Sequence, residues 1–427
     1  RVDVEVDRAG EMITATVTPH RPRRSTAAMS MPAEALLMAR PSNPQAPAAP
    51  PAEKPEAGAV AQAEERIQEL LRHLVKSHAS DLHMRVGLAP VYRTHGEIAV
   101  REGEPPLTRE DIEGMLMAIM PDRNKAEYAE TNDTDFAYEI LGLARFRANA
   151  LRDRMGPAAV FRVIPTEIIT VDQLGLSAEV QKLCYLTKGL VVVTGPTGSG
   201  KSTTLSAMID LINRTRTDHI ITIEDPIEFV HPNKKCVLTQ RQVGSHTQSF
   251  KRALRAALRE DPDIILIGEM RDLETVAIAI ETAETGHLVF GTLHTTTAVS
   301  TVDRIIDQFP ADRQAQIRIM LSSSLKGVIA QTLCKKIGGG RMAAQEILFV
   351  TNAVSNLIRE GKIFQIPSII QTSKAQGMVL LNDALFKLVV ESKVAPEEAY
   401  IKAIDKAGFL SLLKSRGINL NMALSGE

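Results

Sequence analysis

The sequence predicts an α/β protein in which a parallel sheet, covered on both faces by helices, follows a small α+β domain. Three observations lead there. After Pro165, short runs rich in Val and Ile alternate with helical stretches, the pattern of strands buried on both faces. One strand–helix junction carries a glycine-rich loop, Gly195 to Ser202. And the composition of residues 1–61 differs from all that follows. A chain of 427 residues accommodates two to three such units.

Each element has its own signal. Val2-Asp3-Val4-Glu5-Val6 alternates like a strand, and Met12 to Val17 reads as its hairpin partner. Pro19 to Ala59 is rich in Pro and Ala. It offers too little apolar surface to offset its ordering entropy and reads as a flexible linker. The small domain is expected over 62–165. Ile67, Leu70, Leu71, Leu74 and Val75 fall at helical spacing and define one buried stripe. Val86 to Tyr92 and Ile98 to Arg101 read as strands about a His95-Gly96 turn. Thr108, with Asp111 three residues on, forms a capping box that opens a helix. Phe136 to Ile140, Leu143 to Leu151 and Ala158 to Ile164 complete that domain as strands.

The α/β domain is expected over 166–352. Its strands are Leu190 to Thr194, Ile220 to Glu224, Ile264 to Ile267 and Leu288 to Thr292. Between them Ser202 to Asn213, Ser249 to Arg259 and Leu273 to Thr285 read as helices. Helices are also expected through 353–427.

Composition narrows the function. Fifty Lys and Arg against 51 Asp and Glu give a net charge of -1, and aromatics are only 4%. Neither bulk attraction to polyanions nor a base-stacking platform is favoured, so no nucleic-acid partner is expected. No run approaches the ~20 apolar residues of a membrane span. Cys184, Cys236 and Cys334 are too far apart in sequence for a zinc ribbon.

Gly195-Pro196-Thr197-Gly198-Ser199-Gly200-Lys201-Ser202 matches GxxxxGK[ST] in full, between a buried strand and a helix. Glycines let backbone N–H groups wrap phosphates, and the helix N-terminus adds positive potential. Lys201 would reach the β- and γ-phosphates, and Ser202 would ligate Mg²⁺. With Thr203 these residues form the candidate nucleotide-binding set.

Further acids and imidazoles sit at strand ends. Asp263 to Ile267 runs into Gly268-Glu269, and Ile220 to Ile223 into Glu224. Leu288 to Thr292 runs into Leu293-His294, with His287 just before it. In doubly wound sheets the carboxyl ends of strands face the nucleotide crevice. Singly, each acid is a solvated strand end. Together they suit in-line attack of water on a γ-phosphate, with Glu269 either holding Mg²⁺ through water or activating a water. Arg145 and Arg147 share one strand face, and Arg162 lies on the next strand. They form either a solvated face or a clamp reaching phosphates across a domain or subunit boundary. Lys251, Arg252, Arg255 and Arg259 make a basic stripe that reads as solvent or subunit-contact surface.

Leu258-Arg259-Glu260-Asp261-Pro262-Asp263-Ile264-Ile265-Leu266-Ile267-Gly268-Glu269-Met270-Arg271-Asp272 resembles the signature of the type II/IV secretion ATPases, the GspE/PilT superfamily. Ile223 to Glu228 resembles its Asp box, and Gly286-His287 through His294 its His box. Ala79 to His83, Gly338 to Arg341 and Asn356 to Glu360 resemble the pilus-retraction branch. The resemblance implies a PAS-like N-terminal domain, a RecA-like P-loop NTPase domain and a homohexamer. It implies ATP with Mg²⁺ between the domains, contacted by Arg145, Arg147 and Arg162. It implies Glu224 as general base and Glu269 serving Mg²⁺, though spacing alone permits the reverse. The implied setting is the cytoplasmic face of the inner membrane, with pilus machinery and an inner-membrane platform protein as partners. The alternatives are a pilus-assembly or type II secretion ATPase, an accessory retraction paralogue, or a nucleic-acid translocase. Assembly enzymes of the superfamily usually carry a tetracysteine motif that this chain lacks. One departure stands out: Ser355 occupies a position where the retraction branch typically has Arg.

Overall fold

The structure, a computed structural model, describes residues 2–9, 12–19, 57–94, 97–101, 103–164 and 167–420. The chain divides into two units, 1–55 and 56–427. In the first, β1 (Val2–Ala9) and β2 (Met12–Pro19) form the expected antiparallel hairpin. The Pro/Ala-rich linker and the His95-Gly96 turn lie outside the described residues, apart from the linker's two ends.

The second unit opens with α1 (Ala57–Lys76), which starts ahead of the expected residue 62. Its stripe Ile67, Leu70, Leu71 and Leu74 is fully buried. A six-stranded antiparallel sheet follows, in the order β5-β4-β3-β8-β7-β6. It comprises β3 (Asp81–Arg85), β4 (Val91–Thr94), β5 (Glu97–Val100), β6 (Asp133–Ile140), β7 (Ala144–Asp153) and β8 (Gly156–Ile164). The strand expected over 86–92 is corrected: pairing runs through 81–85 and resumes at Val91. Gly87 at φ 82 turns the chain between them. The helices α2 (Arg109–Ile119) and α3 (Asp122–Thr131) complete the domain. The capping box of α2 forms as expected: Asp111 N donates to Thr108 Oγ1 at 3.1 Å, and Thr108 N to Asp111 Oδ2 at 2.8 Å.

The larger domain runs α4 (Ala178–Lys182), β9 (Gly189–Thr194), α5 (Lys201–Thr215), β10 (His219–Glu224), β11 (Val237–Gln242), α6 (Phe250–Ala257) and β12 (Ile264–Ile267). It continues with α7 (Leu273–Thr285), β13 (Leu288–Leu293), α8 (Ala298–Asp307), α9 (Ala311–Ser324), β14 (Leu325–Lys335) and β15 (Arg341–Phe349). The sheet order is β11-β10-β12-β13-β9-β14-β15. Every pairing is parallel except β14–β15.

Successive strand residues point to opposite faces, and both faces are filled. Leu190, Val192, Ile221, Ile223, Ile265 and Ile267 enter the core beneath α6 to α9. Val191, Val193, Ile220, Ile264 and Leu266 enter the core shared with α5. This double burial is why the strands carry unbroken apolar runs. The chain ends in α10 (Asn352–Arg359), α11 (Ile366–Thr372), α12 (Leu381–Val390), α13 (Pro396–Lys402) and α14 (Lys406–Ser415). In α10, Ser355 Oγ donates to Ser322 O at 2.8 Å, so this residue fastens α10 to α9. Buried Glu346 of β15 accepts two bonds, from Ala298 N at the start of α8 (2.7 Å) and Leu381 N at the start of α12 (3.2 Å).

Candidate active site

The glycine-rich loop springs from β9, all of whose residues are buried, and feeds α5 through Gly200 at φ 87. Gly195 has no tolerable alternative. A Cβ there would lie 2.2 Å from Gln331 O and 2.5 Å from Ser199 Oγ, and its φ is 146°. The loop is thus a cradle that a side chain would fill, and the buried Ser199 hydroxyl has no protein partner. Both features fit a phosphate group. Lys201 Nζ donates to Gly195 O at 2.9 Å, folding the ammonium back over the loop. Burial pushes its pKa down, while Glu269 and Glu228 hold it up.

Beside β9 in the sheet lies β13, then β12 and β10. Because they run parallel, Leu293-His294, Gly268-Glu269 and Glu224 all emerge at the edge that carries the loop. Thr194 Oγ1 donates to Thr295 O at 2.6 Å and ties the ends of β9 and β13 together. His294 Nε2 lies 2.6 Å from Glu269 Oε1. Arg271 Nε reaches the same oxygen at 2.6 Å.

The two glutamates are pushed in opposite directions. Burial raises the pKa of Glu224, whereas the Glu228 backbone N–H lowers it by more than the Glu228 charge raises it. Hydrogen bonds from Thr222 Oγ1 (2.6 Å) and Gln240 Nε2 (3.3 Å) offset burial only partly. Burial acts on Glu269 too, but the bonds from Arg271 and His294 outweigh it and its pKa falls. Separated carboxylate environments of this kind distinguish a proton acceptor from a permanently charged ligand.

His287 is not brought to this edge, which corrects the expectation that it joins the catalytic set. It precedes β13 and so lies at the opposite end of a six-residue strand, about 20 Å away at ~3.3 Å per residue. Its Nδ1 instead faces Thr282 O at 3.2 Å.

The three arginines share one face of the antiparallel sheet. Arg147 pairs directly opposite Arg162, and Arg162 opposite Asp81. Arg162 Nε donates to Asp81 Oδ1 at 2.7 Å; its side chain is 68% exposed, that of Asp81 only 4%. Burial works against ionisation of Asp81, but bonds from Ser80 and Arg162 prevail and hold its pKa low. Arg147 faces Asp135 at 3.7 Å. Arg145 alone crosses to the parallel sheet, where Nη2 donates to Gln242 Oε1 at 3.1 Å. Gln242 is the register partner of Glu224. Within the basic stripe on α6, Lys251 pairs with Glu274 of α7.

Thr222, Gln240 and Gln242, which surround Glu224 and Arg145, were not foreseen. The alternation Gln240-Arg241-Gln242 was the available signal, but β11 is too polar to read as a strand.

The family model for type II/IV secretion system proteins matches residues 56–380. The type IV pilus retraction ATPase PilT of Pseudomonas aeruginosa is 52% identical over 337 residues, covering 79% of this chain and 98% of that protein. A twitching motility protein of Neisseria gonorrhoeae is 50% identical over 315 residues, 74% of this chain and 84% of its own. A crystal structure of the pilus retraction motor PilT with bound ADP superposes with a TM-score of 0.76 at 46% identity. It covers 80% of this chain and 98% of that one.

Proposed function

The chain belongs to the type II/IV secretion system protein family, and on that basis we propose that it is an ATP-hydrolysing motor driving type IV pilus retraction. The catalytic part of this reading rests on one observation: Glu224 and Glu269 end neighbouring strands beside the phosphate loop with their pKa values displaced oppositely. The retraction part rests on identity across nearly the full length of a retraction ATPase.

Residues 62–165 are read as a PAS-like domain, 166–352 as a RecA-like ATPase domain and 353–427 as a helical region. The loop Gly195 to Gly200 holds the phosphates through backbone N–H groups, with Lys201, Ser202 and Thr203 completing the grip. Ser202 and Glu269 are the residues that would hold Mg²⁺; when bound it supplies charge neutralisation at the transferring phosphoryl group. Glu224 accepts a proton from water as the water oxygen bonds the γ-phosphorus and the bond to ADP breaks. His294 keeps Glu269 oriented and charged. Arg145, Arg147 and Arg162 clamp phosphate oxygens from the small domain.

Six copies would form a ring that turns domain movement into work on an inner-membrane platform protein. The ring would sit at the cytoplasmic face of that membrane. No helix among the described residues is long and apolar enough to cross a membrane.

The purified chain is expected to release phosphate from ATP, and Lys201→Ala and Glu224→Gln to abolish release. Deletion in the source organism is expected to leave surplus surface pili and no twitching. Loss of pili would instead make it an assembly motor.

A further inference from the structure

The buried side chain of Gln331 lies far outside the glycine-rich motif, yet its contacts converge on it. Gln331 sits on β14, one residue past the partner of Thr194, and is 2% exposed. Its Nε2 donates to Ser199 O at 2.7 Å. Its Oε1 accepts from Thr204 Oγ1 of α5 at 2.9 Å and from Gln345 Nε2 of β15 at 3.3 Å. Its backbone oxygen is the atom that forbids a side chain at Gly195.

The orientation of this amide is fixed by its neighbours. A backbone carbonyl only accepts, so Nε2 must face Ser199; two donors then converge on Oε1. The consequence lies across the peptide bond. In a planar trans peptide the C=O and the following N–H point in opposite directions. Drawing Ser199 O toward β14 therefore turns the Gly200 N–H away from β14, into the concave side of the loop. Burial strengthens the effect, since water does not compete for the Ser199 carbonyl there.

We infer that Gln331 is a positioning residue for nucleotide binding, holding the Ser199–Gly200 peptide so that the Gly200 N–H faces the bound phosphates. The inference rests on the nucleotide-hydrolysing reading above and assigns part of its phosphate site to a residue 132 positions from Ser199.

The test uses the full-length chain with ATP turnover and binding of a fluorescent ADP analogue. Gln331→Met keeps the shape and removes all three side-chain bonds. Gln331→Glu keeps the acceptor toward Thr204 and sets a carboxylate against Ser199 O. Both are expected to raise KM for ATP and Kd for ADP about tenfold, the weight of one hydrogen bond to a charged group, with a smaller change in kcat. Thr204→Val, which loosens the amide, should shift both the same way by less, and it serves if the Gln331 variants fail to fold. The decisive readout is pH. Protonating the introduced carboxyl restores a donor toward Ser199 O, so the Gln331→Glu defect should shrink as pH falls while the Gln331→Met defect stays. Unchanged KM and Kd in the folded variants, beside a dead Lys201→Ala, would overturn the role of Gln331 alone. A wild-type chain that neither turns over ATP nor binds the analogue would overturn the functional reading and this inference with it.

Discussion

The two sheets carry their charged groups in contrasting ways. The parallel sheet does it at its edge, with backbone N–H groups and with carboxylates anchored at strand ends. The antiparallel sheet does it on its face, where Arg147 and Arg162 are held by acids of the same domain. The first arrangement is rigid: Gly195 leaves no room for a Cβ, and Glu224 is fixed by Thr222 and Gln240. The second is exchangeable: Arg162 is largely exposed while pairing with Asp81, and Arg147 faces its acid at 3.7 Å. Charges that hold a provisional partner suit a clamp that engages and releases each turnover.

The largest effect belongs to the rigid edge. Glu224→Gln should lower kcat about 10²- to 10⁴-fold while ADP affinity and melting temperature stay near wild type. In the wild type the acid limb of kcat should lie above the ordinary carboxylate range. A raised pKa keeps Glu224 protonated, and so unable to accept a proton, to a higher pH. An acid limb at ordinary carboxylate pH would assign the base elsewhere.

Next comes the face. Arg162→Ala should weaken turnover and also destabilise the small domain by about 1–3 kcal/mol, because it strips a partner from buried Asp81. The sign with pH follows from the lowered folded pKa of Asp81. Its stabilising contribution is complete above the unfolded value near ~3.9 and fades as pH falls through the folded one. Asp81→Asn should therefore flatten the acid side of the stability profile, measured by denaturant unfolding across pH. A profile with unchanged slope would show the pair to be inert.

The smallest effect is at Asp135→Asn. An exposed pair of this kind contributes less than about 1 kcal/mol, so the midpoint of unfolding should barely move. A large shift would mean that Arg147 is pinned rather than exchangeable.

What the sequence disclosed follows from how local each signal is. The glycine-rich loop is eight consecutive residues, and its strand and helix flank it directly. Glu224 and Glu269 were legible because an acid closes an apolar run, and parallel strands bring such ends together. The same logic, applied without strand direction, misplaced His287. Gln331 and Gln242 were invisible because their contacts with Ser199 and Arg145 span 132 and 97 positions. The strand at Asp81 was hidden by its shortness: only Leu82 and Met84 face the core, a weaker signal than the apolar residues of Val86 to Tyr92, and the buried Asp81 beside them is tolerable because Ser80 and Arg162 bond it.

Glu346 has a consequence for the mechanics of the domain. Its two oxygens are taken by different helices, α8 that follows the His294 segment and α12 within the C-terminal helices. A single carboxylate thus acts as a pivot pin through three parts. The start of α12 cannot move off the sheet without breaking a bond in a buried site.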